Sequence, residues 1–194
     1  MVDPIRRYTG LLNRTQGKAF EDMIKAACDY YRTHGIADIE KTPEPMKVIE
    51  RLAKGRFIAC FEKRAQPDYK GTLYGGRAIV FECKETATDK LMQSVVTPEQ
   101  AHALDRHQKF GAEVYVLCWI NRQIYRIPWD DWKGMKDRFG HKFISTEDAA
   151  TLTPVRMRAG VPDFLDVIGT EGPERAAEFA EFERQWYLET LGKS

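Results

Sequence analysis

Residues 112–120 read AEVYVLCWI, an almost unbroken apolar run of strand length. Such a run has no polar face to offer water, so both of its faces must be covered. It predicts a central strand between two layers, which is the signature of an α/β fold. The neighbouring patterns supply the layers. Phe20, Met23, Ile24, Ala27, Cys28 and Tyr31 form one apolar stripe at helical spacing, predicting a helix over Gly17–Thr33 that Gly35 closes. The preceding Met1–Leu12 reads as a loose arm. Thr97-Pro98-Glu99-Gln100 has the form of a capping box, with Thr97 as N-cap and Gln100 as the third helical residue. Met46–Glu50 and Arg56–Glu62 read as short strands, and Asn121-Arg122 turns the central strand into Gln123–Ile127. Trp129, Trp132 and Met135 predict a short amphipathic helix, and residues 140–172 carry little periodic signal. Pro173 opens a last helix, over about 173–191, with an apolar stripe of Ala176, Phe179, Phe182 and Trp186 among six glutamates. The chain divides on this reading into a domain over 1–140 and a C-terminal extension over 141–194.

The stretch PDYKGTLYGGRAIVFECK, residues 67–84, carries the chemistry. Alternation puts Ile79, Phe81 and Cys83 on one face of a strand, toward the core. Ala78, Val80, Glu82 and Lys84 fall on the other face. Asp68 precedes glycines at 71, 75 and 76, so a turn there can return the chain and bring Asp68 beside Glu82. Two carboxylates at a strand end are hard ligands suited to Mg2+ or Mn2+, and a lysine beside them can position a water or offset phosphate charge. In a chain with 30% charged residues, the D…ExK spacing alone equally describes the solvated face of an edge strand. Glu21 reads either as an exposed helix carboxylate paired with Lys25 or as a third carboxylate facing the site. Gln100 reads either as a cap alone or as a site residue.

Composition narrows the partners. The net charge is +1, so any nucleic-acid footprint must be local. The basic stretch lies between Lys47 and Arg64, where Lys47, Arg51, Lys54, Arg56, Lys63 and Arg64 face only Glu50 and Glu62. It reads either as a solvated hairpin or as a projecting β ribbon that contacts phosphates. The four cysteines form no CxxC pair and sit among apolar residues, which predicts reduced thiols in a cytoplasmic protein. The four histidines do not cluster, so a structural zinc site is not expected. No signal-peptide pattern and no 18-residue apolar run is present, so neither secretion nor a membrane span is expected.

Six segments in order, NRTQGKAFE, YY, IADIEKTPEPMKV, PDYKG, GGRAIVFECKET and TPEQAHAL, resemble the RecU-type Holliday junction resolvases. These are also called penicillin-binding protein-related factor A and fall within the PD-(D/E)xK nuclease superfamily. The resemblance covers about residues 13–135 and is far more specific than the D…ExK spacing. It implies a restriction-endonuclease-like core, a mixed β-sheet flanked by helices, with a basic β stalk over about 47–66. It implies Mg2+- or Mn2+-dependent cleavage of four-way DNA junctions in recombination and repair by a homodimer. Asp68, Glu82 and the Cys83 carbonyl match the metal-binding groups, Lys84 the catalytic lysine, Glu21 the first-helix glutamate and Gln100 the glutamine of the following helix. The DNA-binding set is then Arg14, Lys18, Lys47, Lys54, Arg56, Lys63 and Arg64. The family usually has an acidic residue two before the ExK glutamate, and Val80 stands there. A bacterial chain, or one encoded by a phage or prophage, would fit the divergence. Two other roles suit the same residues: a duplex-cutting or repair nuclease, and a junction-binding protein without catalysis.

Overall fold

The computed structural model describes residues 4–43, 45–61, 66–168 and 173–190, with the backbone alone for 4–16, 61 and 173–175. The elements in order are α1 (Pro4–Thr33), β1 (Ala37–Lys41), β2 (Met46–Arg51), β3 (Phe57–Phe61), β4 (Tyr69–Leu73), β5 (Ala78–Glu85) and β6 (Lys90–Met92). They continue with α2 (Pro98–Lys109), β7 (Glu113–Ile120), β8 (Gln123–Pro128), α3 (Trp129–Lys133), α4 (Met135–Phe139) and β9 (Phe143–Ser145). The chain then forms α5 (Thr146–Ala149), β10 (Met157–Arg158), β11 (Val161–Pro162) and α6 (Pro173–Thr190).

The main sheet has the order β1-β4-β5-β7-β8. Its pairings are antiparallel except β5 with β7, which are parallel because α2 carries the chain back across the sheet. The apolar run at β7 is buried on both faces, as its composition requires. One core lies between the sheet and α1, where Phe20, Ile24, Ala27 and Tyr31 meet Ile79, Phe81, Tyr115 and Leu117. Within it Tyr69, Phe81 and Tyr115 stack across three strands, with centroids 4.9 Å apart at each step. The second core lies under α2 and α3 and joins Val80, Leu104, Val114, Val116, Trp129 and Trp132. This is the mixed sheet flanked by helices expected of a restriction-endonuclease-like core.

Several expectations are corrected. The helix begins at Pro4, not Gly17, so most of the expected loose arm is helical. Strands β1 and β4 went unseen because their residues, ADIEK and YKGTL, are short and mixed in polarity. β5 is interior to the sheet rather than an edge, and Val80 is buried in the second core. Gly75 and Gly76 make the turn between β4 and β5 with positive φ. Gly71 lies instead inside β4, opposite Ile39 and Ile79. A Cβ there would sit 2.1 Å from the Asp38 carbonyl oxygen, so its smallness lets β1 approach. Residues 141–168 contribute Ile144, Phe164 and Ile168 to the two cores, so the core has no edge at residue 140. Asp163 holds this segment. Its buried carboxylate accepts from the Tyr31 hydroxyl at 3.1 Å and from the backbone N–H of Val167 and Ile168.

Strands β2 and β3 pair with each other as a separate two-stranded sheet. Every residue of β2 is exposed, so this hairpin is solvated on both faces. Lys47, Arg51, Lys54 and Arg56 all lie exposed on it or on its turn, whereas Lys63 and Arg64 lie outside the described residues. On α6 Phe179 lies beside Gly35 and Leu73 of the body, while Phe182 and Trp186 are exposed. No helix among the described residues is long and apolar enough to cross a membrane.

Candidate active site

The register of β4 on β5 sets Tyr69 opposite Phe81, which brings Asp68, one residue earlier, beside Glu82. Asp68 Oδ2 accepts a hydrogen bond of 2.9 Å from the backbone N–H of Cys83, pinning the carboxylate to β5. Its own carbonyl accepts from the N–H of Thr42 at 2.8 Å. Glu82 and Lys84 share one face of β5, as alternation requires, and Lys84 Nζ donates to Glu82 Oε2 at 2.6 Å. The same ammonium lies 3.7 Å from Asp68 Oδ2. Asp68, Glu82, Lys84 and the Cys83 backbone therefore meet at one strand end.

The two alternatives for Gln100 are one arrangement. Its Oε1 accepts from the Thr97 N–H at 3.1 Å, completing the capping box that starts α2. Its Nε2 donates to Glu82 Oε2 at 2.7 Å. The cap fixes the side chain, and the fixed side chain orients the carboxylate.

Electrostatics make this a site that wants a cation. Two carboxylates face one ammonium, and Glu82 is completely buried. Burial, then the charge of Asp68, push the Glu82 carboxyl above the usual carboxylate range, while Lys84 opposes the shift. Burial works against the Lys84 ammonium, but Asp68 and Glu82 outweigh it and hold its pKa above that of an ordinary lysine. Both donors to Glu82 reach Oε2, and Oε1 is buried with no hydrogen-bond partner. A buried unpaired carboxylate oxygen is costly. A hard divalent ion held by Asp68, Glu82 and the Cys83 carbonyl fits that oxygen and the excess negative charge.

Glu21 is placed differently from the expectation of a third carboxylate. Its Oε2 accepts from Lys41 Nζ at 2.7 Å, and the side chain is about half exposed. Neither Lys25 nor the Asp68–Glu82 pair is its partner. Among the described residues no group of three His, Cys, Asp or Glu side chains converges as a metal cage. Lys18 is exposed on α1, and the Arg14 side chain lies outside what is described. Glu85 was not anticipated. It sits at the end of β5 with Oε2 buried and unpaired, and burial raises its pKa. A Cβ on Gly17 of α1 would lie 3.4 Å from its Oε1. The visible signal was the third charge in the run ECKE, on the opposite strand face from Glu82.

The family model described as Recombination protein U matches residues 15–159. A Holliday junction resolvase RecU of Streptococcus oralis is 38% identical over 76 residues, covering 37% of this chain and 38% of that protein. The RecU of Streptococcus sanguinis strain SK36 is 33% identical over 135 residues, covering 63% of this chain and 66% of that protein. The matched stretch thus spans well under half of the first relative and about two thirds of the second. Among solved structures, Hjc of Archaeoglobus fulgidus, described as a Holliday junction resolvase, aligns with a TM-score of 0.44 and 14% identity, over 70% of this chain and 95% of that one.

Proposed function

The chain belongs to the RecU family, and on that premise we propose that it is a structure-selective endodeoxyribonuclease that resolves four-way DNA junctions by metal-dependent phosphodiester hydrolysis. The observation that carries this reading is the buried, unpaired Glu82 Oε1 beside Asp68 and Lys84. A buried carboxylate oxygen without a donor calls for a partner, and a bound cation beside a second carboxylate supplies one.

When bound, Mg2+ or Mn2+ would supply polarisation of a phosphate oxygen and a lowered pKa for the attacking water. Asp68, Glu82 and the Cys83 carbonyl would hold it. Lys84 stands between both carboxylates, where its ammonium can orient the water and offset charge developing on the phosphate. Gln100 holds Glu82 in place from α2. The exposed β2–β3 hairpin is the family's stalk on this reading, and its basic residues contact phosphates near the junction centre. Phosphate contacts position without reading sequence, so selectivity comes from branched shape. A symmetric homodimer would present two such sites to a substrate of two-fold symmetry.

The deciding experiment compares cleavage of a mobile four-way junction with that of a linear duplex of the same sequence, with and without Mg2+. Junction cleavage that requires the ion supports the reading. Asp68→Asn and Glu82→Gln should each abolish cleavage and leave junction binding intact, because each removes ligand charge without touching the hairpin. Cleavage near the wild-type rate in either variant would overturn the site.

A further inference from the structure

A second basic surface leads away from this site. Between β4 and α2 lies a cleft of about 640 Å3 that begins at Pro67, beside Asp68, and at Pro98, two residues before Gln100. Its floor carries Lys70, which shares the strand face of Asp68 by the two-residue period. Its wall is one stripe of α2, formed by Glu99, His102 and Arg106 at spacings of three and four. The adjacent stripe, Ala103 and Leu104, is buried and fixes which way α2 faces.

Among the described residues, neither Lys70 nor Arg106 of this cleft is within ion-pair distance of a carboxylate. Among the described residues Lys84, Arg77, Arg126, Lys133, Arg138 and Arg158 all lie within ion-pair distance of carboxylates. Lys70 has instead the neutral amide of Gln66, accepting at 2.8 Å, and Arg106 is exposed with no carboxylate partner among the described residues. Both charges act on His107, whose pKa is held below its ordinary value by burial first and then by Lys70 and Arg106. Lys70 and Arg106 line one open cleft with His107, an arrangement suited to an anion from outside.

The spacing selects the anion. Lys70 lies two strand residues from Asp68, about 7 Å along β4. Arg106 lies six helical residues from Gln100, about 9 Å along α2. Phosphates of one DNA strand advance by about 3.4 Å each along the duplex axis. That advance is axial, and the winding of the strand sets neighbouring phosphates further apart than this, so the cleft reaches the phosphates next to one held at Asp68 and Glu82.

We propose that this cleft seats the sugar–phosphate backbone flanking the cleaved bond, with Lys70 and Arg106 as positioning residues that contact those phosphates. This rests on the nuclease reading above but is separate from the hairpin. It places part of the DNA affinity on the body of the protein, at the site itself.

The test measures binding of a labelled four-way junction against NaCl concentration, in EDTA to prevent cleavage. K70A/R106A should bind more weakly than wild type. Its slope of log K against log salt should be shallower by about 1.8, at about 0.9 per phosphate contact. K70R/R106K should keep the wild-type slope, and Mn2+ binding measured by calorimetry should be unchanged in both. An unchanged slope in a folded K70A/R106A protein overturns the cleft. If the double variant fails to fold, R106A alone, on the exposed face of α2, carries the test with an expected change of about 0.9. Wild-type protein that binds DNA with this slope yet cleaves no junction would instead overturn the nuclease reading and leave the cleft standing.

Discussion

The Gln100 amide closes the capping box with Oε1 and reaches Glu82 with Nε2, so helix stability and site geometry depend on one side chain. The two effects separate by mutation. Thr97→Ala should cost about 1 kcal/mol in urea unfolding, the usual value of an N-cap, and leave junction cleavage within a few-fold of wild type. Gln100→Ala should cost a similar amount and also slow cleavage by roughly 10- to 100-fold, since the group orienting a metal ligand is lost. Equal cleavage in both variants would mean that Gln100 is only a cap. Gly71 is constrained by space rather than by turn geometry. Gly71→Ala drives a methyl against the Asp38 carbonyl, and it should destabilise the protein by about 3 kcal/mol or more, because the clashing atom is backbone and β1 must move. The thiols divide by burial. Cys60 is exposed on β3, whereas burial pushes the Cys28 thiol up to about 12. A thiol reagent at pH 8 should label Cys60 in the native protein and reach Cys28 only on unfolding, because the thiolate is the reactive form. Fast native labelling of Cys28 would contradict its placement on the buried face of α1.

Among the elements, the β2–β3 hairpin stands apart from the sheet in both pairing and exposure. A two-stranded hairpin without a covered face contributes little to stability, so its basic residues can be replaced without unfolding the body. Replacing Lys54, Arg56, Lys63 and Arg64 with alanine should leave the thermal midpoint nearly unchanged. The salt slope of junction binding should flatten by up to about 3.6 if all four contact phosphate. Unchanged affinity and slope would reduce the hairpin to a solvated loop. The segment around β10 and β11 is tied to α1 by Asp163, which has no exposed atom to fall back on water. Asp163→Ala strands two backbone N–H groups and removes one partner each from the Tyr31 hydroxyl and Arg158, so a loss of about 3 kcal/mol is expected in urea unfolding.

At the scale of the whole molecule, α6 leaves Phe182, Trp186, Tyr187 and Leu188 exposed, and the hairpin leaves Met46, Ile49 and Phe57 exposed. The junction-resolving reading asks for two active sites acting together, so the protein should be a dimer in solution. Light scattering across the concentration range of the cleavage assay checks this. A monomer that still makes paired incisions would remove the need for two-fold symmetry.

Sequence by itself determined the elements whose physics is local. The unbroken apolar run at β7 can only be covered on both faces, and the stripe from Phe20 to Tyr31 can only be one face of a helix. Glu82 and Lys84 share a strand face by alternation alone, and Thr97–Gln100 declared its cap by residue type. Six ordered segments made the family legible, though no single one of them did. Tertiary structure decided what depends on partners distant along the chain. β1 and β4 carry weak periodicity and become strands because β5 gives their backbone groups somewhere to bond. Val80 lies beside Glu82 on a face that alternation left looking solvated, and α2 buries it. Glu21 sits at the expected helix position, and the path of β1 supplies Lys41 as its partner. Lys70 and Arg106 are 36 residues apart, and only the packing of α2 beside β4 makes them floor and wall of one cleft.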